Sequence, residues 1–117
     1  MNIELTIGET RISGELFDHP VAQELAGLLP LTLSFEDFNN VEKVASLDRE
    51  LTLRGVPAAD APEPGEVGYY APTRGLVLYY GRPRRWPGLV RMGRLSYDLE
   101  ALRNLPDGST IQITMAT

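Results

Sequence analysis

Apolar and polar residues alternate strictly from the first residues onward. Ile3, Leu5 and Ile7 fall on one side and Asn2, Glu4 and Thr6 on the other. A period of two predicts a half-buried strand. Gly8-Glu9 is a tight-turn signal, and Ile12, Gly14 and Leu16 then alternate with Arg11, Ser13 and Glu15. The segment therefore reads as an N-terminal β-hairpin. The period then changes: Val21, Ala22, Leu25, Ala26, Leu28 and Leu29 form an apolar stripe at helical spacing, between Asp18-His19-Pro20 and Pro30. Proline is tolerated at the first helical position, where its missing N–H would have no partner, and it stops a helix from within. One short helix over 20–29 is expected.

Leu31, Leu33 and Phe35 alternate with Thr32, Ser34 and Glu36 as a third strand. The pattern blurs over 37–50, where Val41, Val44 and Leu47 suit a helical turn or irregular structure. Residues 51–54 read as a short strand, and GVPAADAPEPGE (55–66) reads as a surface loop. Two tyrosine-rich apolar runs, 66–71 and 76–81, flank Pro72-Thr73-Arg74-Gly75, which predicts a hairpin with a four-residue turn. Residues 82–88 form an exposed loop with Pro83, Trp86 and Pro87, and 89–96 another strand. Leu99, Leu102 and Leu105 support a short helix starting near Asp98; Pro106-Asp107-Gly108 turns the chain, and Ile111, Ile113 and Met115 mark a last strand. The tally is about seven or eight short strands and two short helices. A mainly β chain of this kind closes, or nearly closes, into a barrel, because closure removes exposed strand edges.

Composition changes this picture little. The 117 residues, 43% hydrophobic and 23% charged, are those of one globular domain. The absence of cysteine excludes disulfide and thiolate chemistry. The start, MNIELTIGE, lacks the basic and apolar regions of a signal peptide, and no run reaches the roughly 18 apolar residues of a membrane span. A cytoplasmic monomer or weak oligomer is expected. Charge is more informative. Residues 1–66 hold 13 acids against 4 bases, whereas 67–97 hold no acid and six arginines: Arg74, Arg82, Arg84, Arg85, Arg91 and Arg94. Base composition of the genome accounts for arginine over lysine. It does not account for so long a stretch without a carboxylate.

Three runs carry a resemblance: PLTLSFEDFNNVEKVASL (30–47), GEVGYYAPTRGLVLYYG (65–81) and GLVRMGRL (88–95). In this order they are similar to the cyclophilin-like family of small prokaryotic proteins, and the resemblance covers nearly the whole chain. It implies one cyclophilin-like domain over 1–117, a compact β-barrel like that of the peptidyl-prolyl isomerases with fewer helices. It carries over no functional residue. True cyclophilins have a Phe-His-Arg strand motif and a Gln-Gly-Gly-Asp loop; neither occurs here, and the one histidine is His19.

Candidate chemistry is sparse. With one His and no Cys, neither a zinc site nor a cofactor site is expected, and His19 before Pro20 reads as a helix cap or an exposed loop residue. Glu36, Asp37 and Glu42 divide acid and base roles only if their surroundings split their pKa values; otherwise they are solvated charge. In Tyr69-Tyr70 and Tyr79-Tyr80 neighbours face opposite sides of a sheet, so one of each pair packs in the core and the other faces out. In Leu89-Val90-Arg91-Met92-Gly93-Arg94-Leu95, strict alternation would force one arginine onto the apolar face. Either Gly93 marks a bulge that sends both arginines outward, or Arg91 lines a cleft, paired with a carboxylate or awaiting a ligand.

Three functions compete. The first is non-catalytic binding of an extended peptide or small anion in a groove lined by Tyr70, Tyr79, Trp86 and Arg91. The second is prolyl isomerisation. A 10⁵-fold acceleration needs about 7 kcal/mol of transition-state stabilisation, against about 1.5–3 kcal/mol from one charged hydrogen bond, so a dry aromatic pocket would have to help. The third is a structural or assembly module acting through a strand edge or the Trp86 loop. Nucleic acid is a poor partner for a chain of net charge -5.

Overall fold

The computed structural model describes residues 1–116. The first alternating runs pair as β1 (Asn2–Ile7) and β2 (Thr10–Leu16), with Ile7 opposite Thr10 and Gly8 at φ 57 in the turn between them. Then come α1 (Pro20–Ala26), β3 (Leu31–Phe38), β4 (Glu42–Ser46), β5 (Ala59–Asp60) and β6 (Glu66–Tyr70). A 3₁₀ turn over Ala71–Thr73 leads to β7 (Gly75–Tyr79), and β8 (Trp86–Pro87), β9 (Leu89–Ser96), α2 (Leu99–Arg103) and β10 (Ser109–Met115) complete the chain. Neither helix is long and apolar enough to cross a membrane.

Eight strands close an antiparallel barrel in the order β1-β10-β3-β4-β7-β6-β9-β2, with β2 returning to β1; β5 and β8 form a separate two-stranded ribbon. Inward positions supply one core. Leu5, Leu16, Phe35, Tyr69, Leu76, Leu78, Met92 and Ile111 are essentially inaccessible. The helix α1 packs on β2 and β9 and adds Val21, Ala22 and Leu25 to that core; α2 packs on β4 and adds Leu102. Closure gives every barrel strand a neighbour on each side, which leaves the barrel without a terminal edge strand.

Four expectations need correction. The ambiguous 37–50 region contains β4, paired to both β3 and β7. Its alternation was masked because an inward position holds Lys43, whose ammonium donates to the Leu105 carbonyl at 2.8 Å and lies 3.2 Å from Asp37. The helix expected over 20–29 ends at Ala26; Gly27 caps it, while Leu28 and Leu29 still pack on the core. Residues 51–54 form no strand. Their donors are taken by side chains instead: Leu51 N–H by the Tyr69 hydroxyl at 3.0 Å, and Thr52 N–H by Glu24 at 2.9 Å. The ribbon of β5 and β8 joins two segments that each read as loop.

The β9 question is resolved by a bulge. Val67 pairs with Gly93 but Gly68 pairs with Arg91, so Met92 is the extra residue and turns inward. Arg91 and Arg94 both face out. Gly93 is required there, since a Cβ would stand 2.1 Å from the Glu15 carbonyl oxygen on β2.

Candidate functional site

The strands β4, β7, β6 and β9 present a shared outer face. Register places Glu42 opposite Tyr79, Val44 opposite Val77, Gly68 opposite both Val77 and Arg91, and Tyr70 opposite Leu89. Unlike the outer face of a bare barrel, it is apolar and covered: Val77, Tyr79 and Leu89 form a second buried cluster, flanked by Val44 and Tyr70. Beside it runs the strap over residues 82–88. The β5–β8 ribbon, Gly88 N–H to the Ala58 carbonyl (3.0 Å) and Ala71 N–H to the Gly88 carbonyl (3.0 Å) hold it in place.

Between this strap and the β3–β4 turn lies a groove of about 580 Å³. Tyr70 and Leu89 contribute from the barrel, Phe38, Val41 and Glu42 from the turn and the start of β4, and Arg82, Arg84 and Trp86 from the strap. Asn39 and Asn40 both take φ 55, a left-handed conformation that asparagine tolerates, and so bring Phe38 to the groove. Phe38 is 56% and Trp86 54% exposed, a large apolar display for two aromatic side chains facing one depression. Another depression, about 770 Å³, lies beyond the strap and is lined by 50–53, Tyr69, Ala71, Pro72, Pro87 and Gly88. It is larger, but its only aromatic side chain, Tyr69, has its hydroxyl committed to Leu51.

Of the four residues expected to line a groove, Tyr70 and Trp86 do. Tyr79 faces the same way but is wholly buried beneath the site. Its ring lies across Gly68, where a Cβ would meet Cε2 at 2.6 Å, and its hydroxyl has no hydrogen-bond partner. Burial, together with the charges of Glu42 and Glu66, pushes this phenol far above its ordinary range. Arg91 stands outside the groove. Its Nε and Nη2 donate to the two carboxylate oxygens of buried Glu66 at 2.8 and 2.6 Å, and Arg94 lies 3.8 Å from the same group. The Phe17 ring sits 5.8 and 5.4 Å from the two guanidiniums. Burial alone would raise the pKa of Glu66, but the bonds from Arg91 and the Glu63 N–H outweigh it and hold the carboxyl below the usual range. Of the two readings of Arg91 the bulge holds: it turns the side chain outward, and a carboxylate receives it outside the groove.

The carboxylates of the β3–β4 hairpin are split by their surroundings. Asp37 accepts from the Tyr80 hydroxyl, from Lys43 and from Asn40 N–H, and the Tyr80 bond does most to lower its pKa. Tyr80 in turn is pushed up to about 12 by burial and by that bond. Glu36 is exposed on β3. Glu42, on the opposite side of β4 from Lys43, has no hydrogen bond or ion pair among the described residues; burial and the nearby Asp37 charge raise it to about 7. Its position in the groove, and those of Phe38 and Arg84, escaped the sequence reading. The unusual Asn-Asn after Phe38 was the available signal.

Of the two readings of His19, the cap holds. Its Nδ1 accepts Ala22 N–H at 3.1 Å, which leaves Nε2 to donate to the Arg91 carbonyl at 2.8 Å. It thereby ties the start of α1 to the bulge.

The sequence profile of the cyclophilin-like family matches residues 5–115. The chain belongs to the cyclophilin-like family. The solution structure of a hypothetical protein from Archaeoglobus fulgidus superposes on this cyclophilin-like domain with a TM-score of 0.72 at 18% identity, covering 99% of this chain and 95% of that one. Identity at that level shows the shared fold alone. No curated protein matches the chain. The site of this cyclophilin-like domain therefore has to be argued from its own side chains.

Proposed function

We propose that this cyclophilin-like domain is a binding module whose groove takes an apolar side chain flanked by an acidic group, as in a short acidic peptide. The observation that carries this is the convergence of Tyr70, Trp86 and Phe38 from three separate segments around one depression. Its volume lies within the roughly 300–1,000 Å³ typical of ligand sites. Aromatic walls of this kind supply area at low entropic cost. Charge complementarity selects the ligand's sign. Arg82 is engaged by Glu63, but Arg84 has no carboxylate partner among the described residues, and Glu42, raised to about 7, carries only about half a charge near pH 7. The groove is therefore complementary to an anion. Arg91, whose guanidinium fork is engaged by Glu66, is left out of this reading.

Trp86 is the single tryptophan, so its emission reports directly on the groove. Displayed peptides selected on the wild-type domain and counter-selected on Tyr70→Ala should converge on an aromatic or aliphatic anchor beside Asp or Glu. Such peptides should shift Trp86 emission and lose at least about tenfold in affinity on Tyr70→Ala, the loss of one buried aromatic contact. Free N-acetyl-phenylalanine in the same titration separates a small anion from a peptide. Peptides that bind Tyr70→Ala as well as wild type would remove the proposal.

A further inference from the structure

We propose that Glu42 meets the ligand as a neutral carboxylic acid, donating a hydrogen bond to a carbonyl or carboxylate oxygen, and that occupancy of the groove is thereby coupled to proton uptake. This rests on the groove reading above and names the residue that sets its specificity. The argument starts from what surrounds the side chain. Across the ladder stand Phe38 of β3 and Tyr79 of β7. The Tyr79 hydroxyl is buried over Gly68 and is not bonded to Glu42. Asp37 of β3 supplies a negative charge that opposes ionisation. The cation next in sequence, Lys43, points to the other side of the strand and is engaged by Asp37 and the Leu105 carbonyl. From β6 and the strap the facing groups are Tyr70, Arg82 and Arg84, none of them within ion-pair distance of Glu42.

A half-buried carboxyl in an apolar groove without donors is costly to ionise and cheap to keep protonated. A ligand can resolve that in two ways. A cation would draw out the proton and pair with the carboxylate. Arg82 and Arg84 on the same groove oppose this by like-charge repulsion. An oxygen acceptor would instead receive the Glu42 proton while its charge is met by the free Arg84. A carboxylic O–H to a carboxylate oxygen is among the stronger hydrogen bonds available to side chains. The groove thus offers a neutral donor and a cation to one acidic ligand. The proton balance is simple: when Glu42 is ionised, binding takes up one proton from solvent.

The test follows Trp86 emission with three probes that share a phenyl group: N-acetyl-phenylalanine (anion), its amide (neutral) and phenethylamine (a cation throughout this pH range). With half-protonation at about 7, the anion should bind about tenfold more tightly near pH 6 than near pH 8. Glu42→Gln keeps a donor without a titrating proton. It should hold the low-pH affinity across the range and flatten the profile, which also separates Glu42 from the distant His19. Circular dichroism establishes that the variant is folded. A flat wild-type profile, tighter binding as pH rises, or preference for the cationic probe would each overturn the role of Glu42. Provided binding is still weakened by Tyr70→Ala, those outcomes leave the groove reading standing. Failure of all three probes and of the selected peptides at every pH removes both.

Discussion

Asp37 and Glu42 are five residues apart in one hairpin, yet folding moves their acidities in opposite directions. Asp37 is surrounded by donors, whereas Glu42 has none and faces the apolar groove. The sign of the consequence is definite. A carboxyl whose folded pKa is raised from 4.5 to about 7 favours the folded state fully below its unfolded value, and that contribution is lost as pH rises through 7. The loss should reach about 1–2 kcal/mol by pH 8, discounted because the group is half exposed. Urea melts at several pH values should show the slope, and Glu42→Gln should remove it. His19 makes a second prediction at this scale. Its two bonds require the neutral ring with the proton on Nε2. His19→Ala should cost about 1–2 kcal/mol through loss of the cap, while His19→Asn retains the cap and loses only the bond to the Arg91 carbonyl. Paired denaturation curves would separate the two. The cap was one of two readings of His19, because Pro20 fixes where α1 begins; the bond to Arg91, a residue far along the chain, left no trace in the sequence.

Among the elements, β9 carries the sharpest constraint. Its bulge lets Met92 enter the core while Arg91 and Arg94 both reach Glu66, and it depends on Gly93 lying against β2. Gly93→Ala would set a methyl 2.1 Å from a backbone oxygen, with Leu16 Cα at 2.9 Å, so the strands themselves must part. A destabilisation of at least about 3 kcal/mol is expected, measured by chemical denaturation or as a failure to fold. Gly68→Ala should be milder, because what it meets at 2.6 Å is the Tyr79 ring, a side chain able to move. A bulge was one of two readings of the LVRMGRL pattern, since a glycine between two arginines on an otherwise apolar strand breaks the alternation at that point. By contrast β4 was hidden. Lys43 at an inward position mimics a polar loop, and only its ties to Leu105 and Asp37 explain how the strand buries it.

At the scale of the molecule, closure is the governing feature. The terminal strands β1 and β10 pair with each other and with β2 and β3, so the ends of the chain lie in the middle of the ladder. Their amides should therefore exchange with solvent as slowly as those of β6 and β7. Those of residues 47–58 and 81–85 should exchange early, because few of their amides join a ladder. Hydrogen exchange read by NMR would check this. Fast exchange along β1 and β10 would mean that the barrel opens at that seam. Charge also closes at this scale. The acid-free stretch 67–97 is met by Glu63 and Glu66 at its border, which pair with Arg82, Arg91 and Arg94 across strands and leave Arg84 at the groove.

By itself the sequence determined the β1–β2 and β6–β7 hairpins, the start of each helix, most strands and the outward turn of Tyr70 and Tyr79. Each of these depends on residue period, turn chemistry or the stereochemistry of Pro and Gly, which act over a few neighbouring positions. Tertiary structure decided that β4 is a strand, that the two loops holding β5 and β8 join, and that Tyr79 is sealed beneath the site. It also decided that Arg91 answers to Glu66 rather than to a ligand, and that Glu42 is left without a partner. These outcomes depend on which segments meet across the barrel and on how much water remains between them, and neither is written in the local alternation of residues.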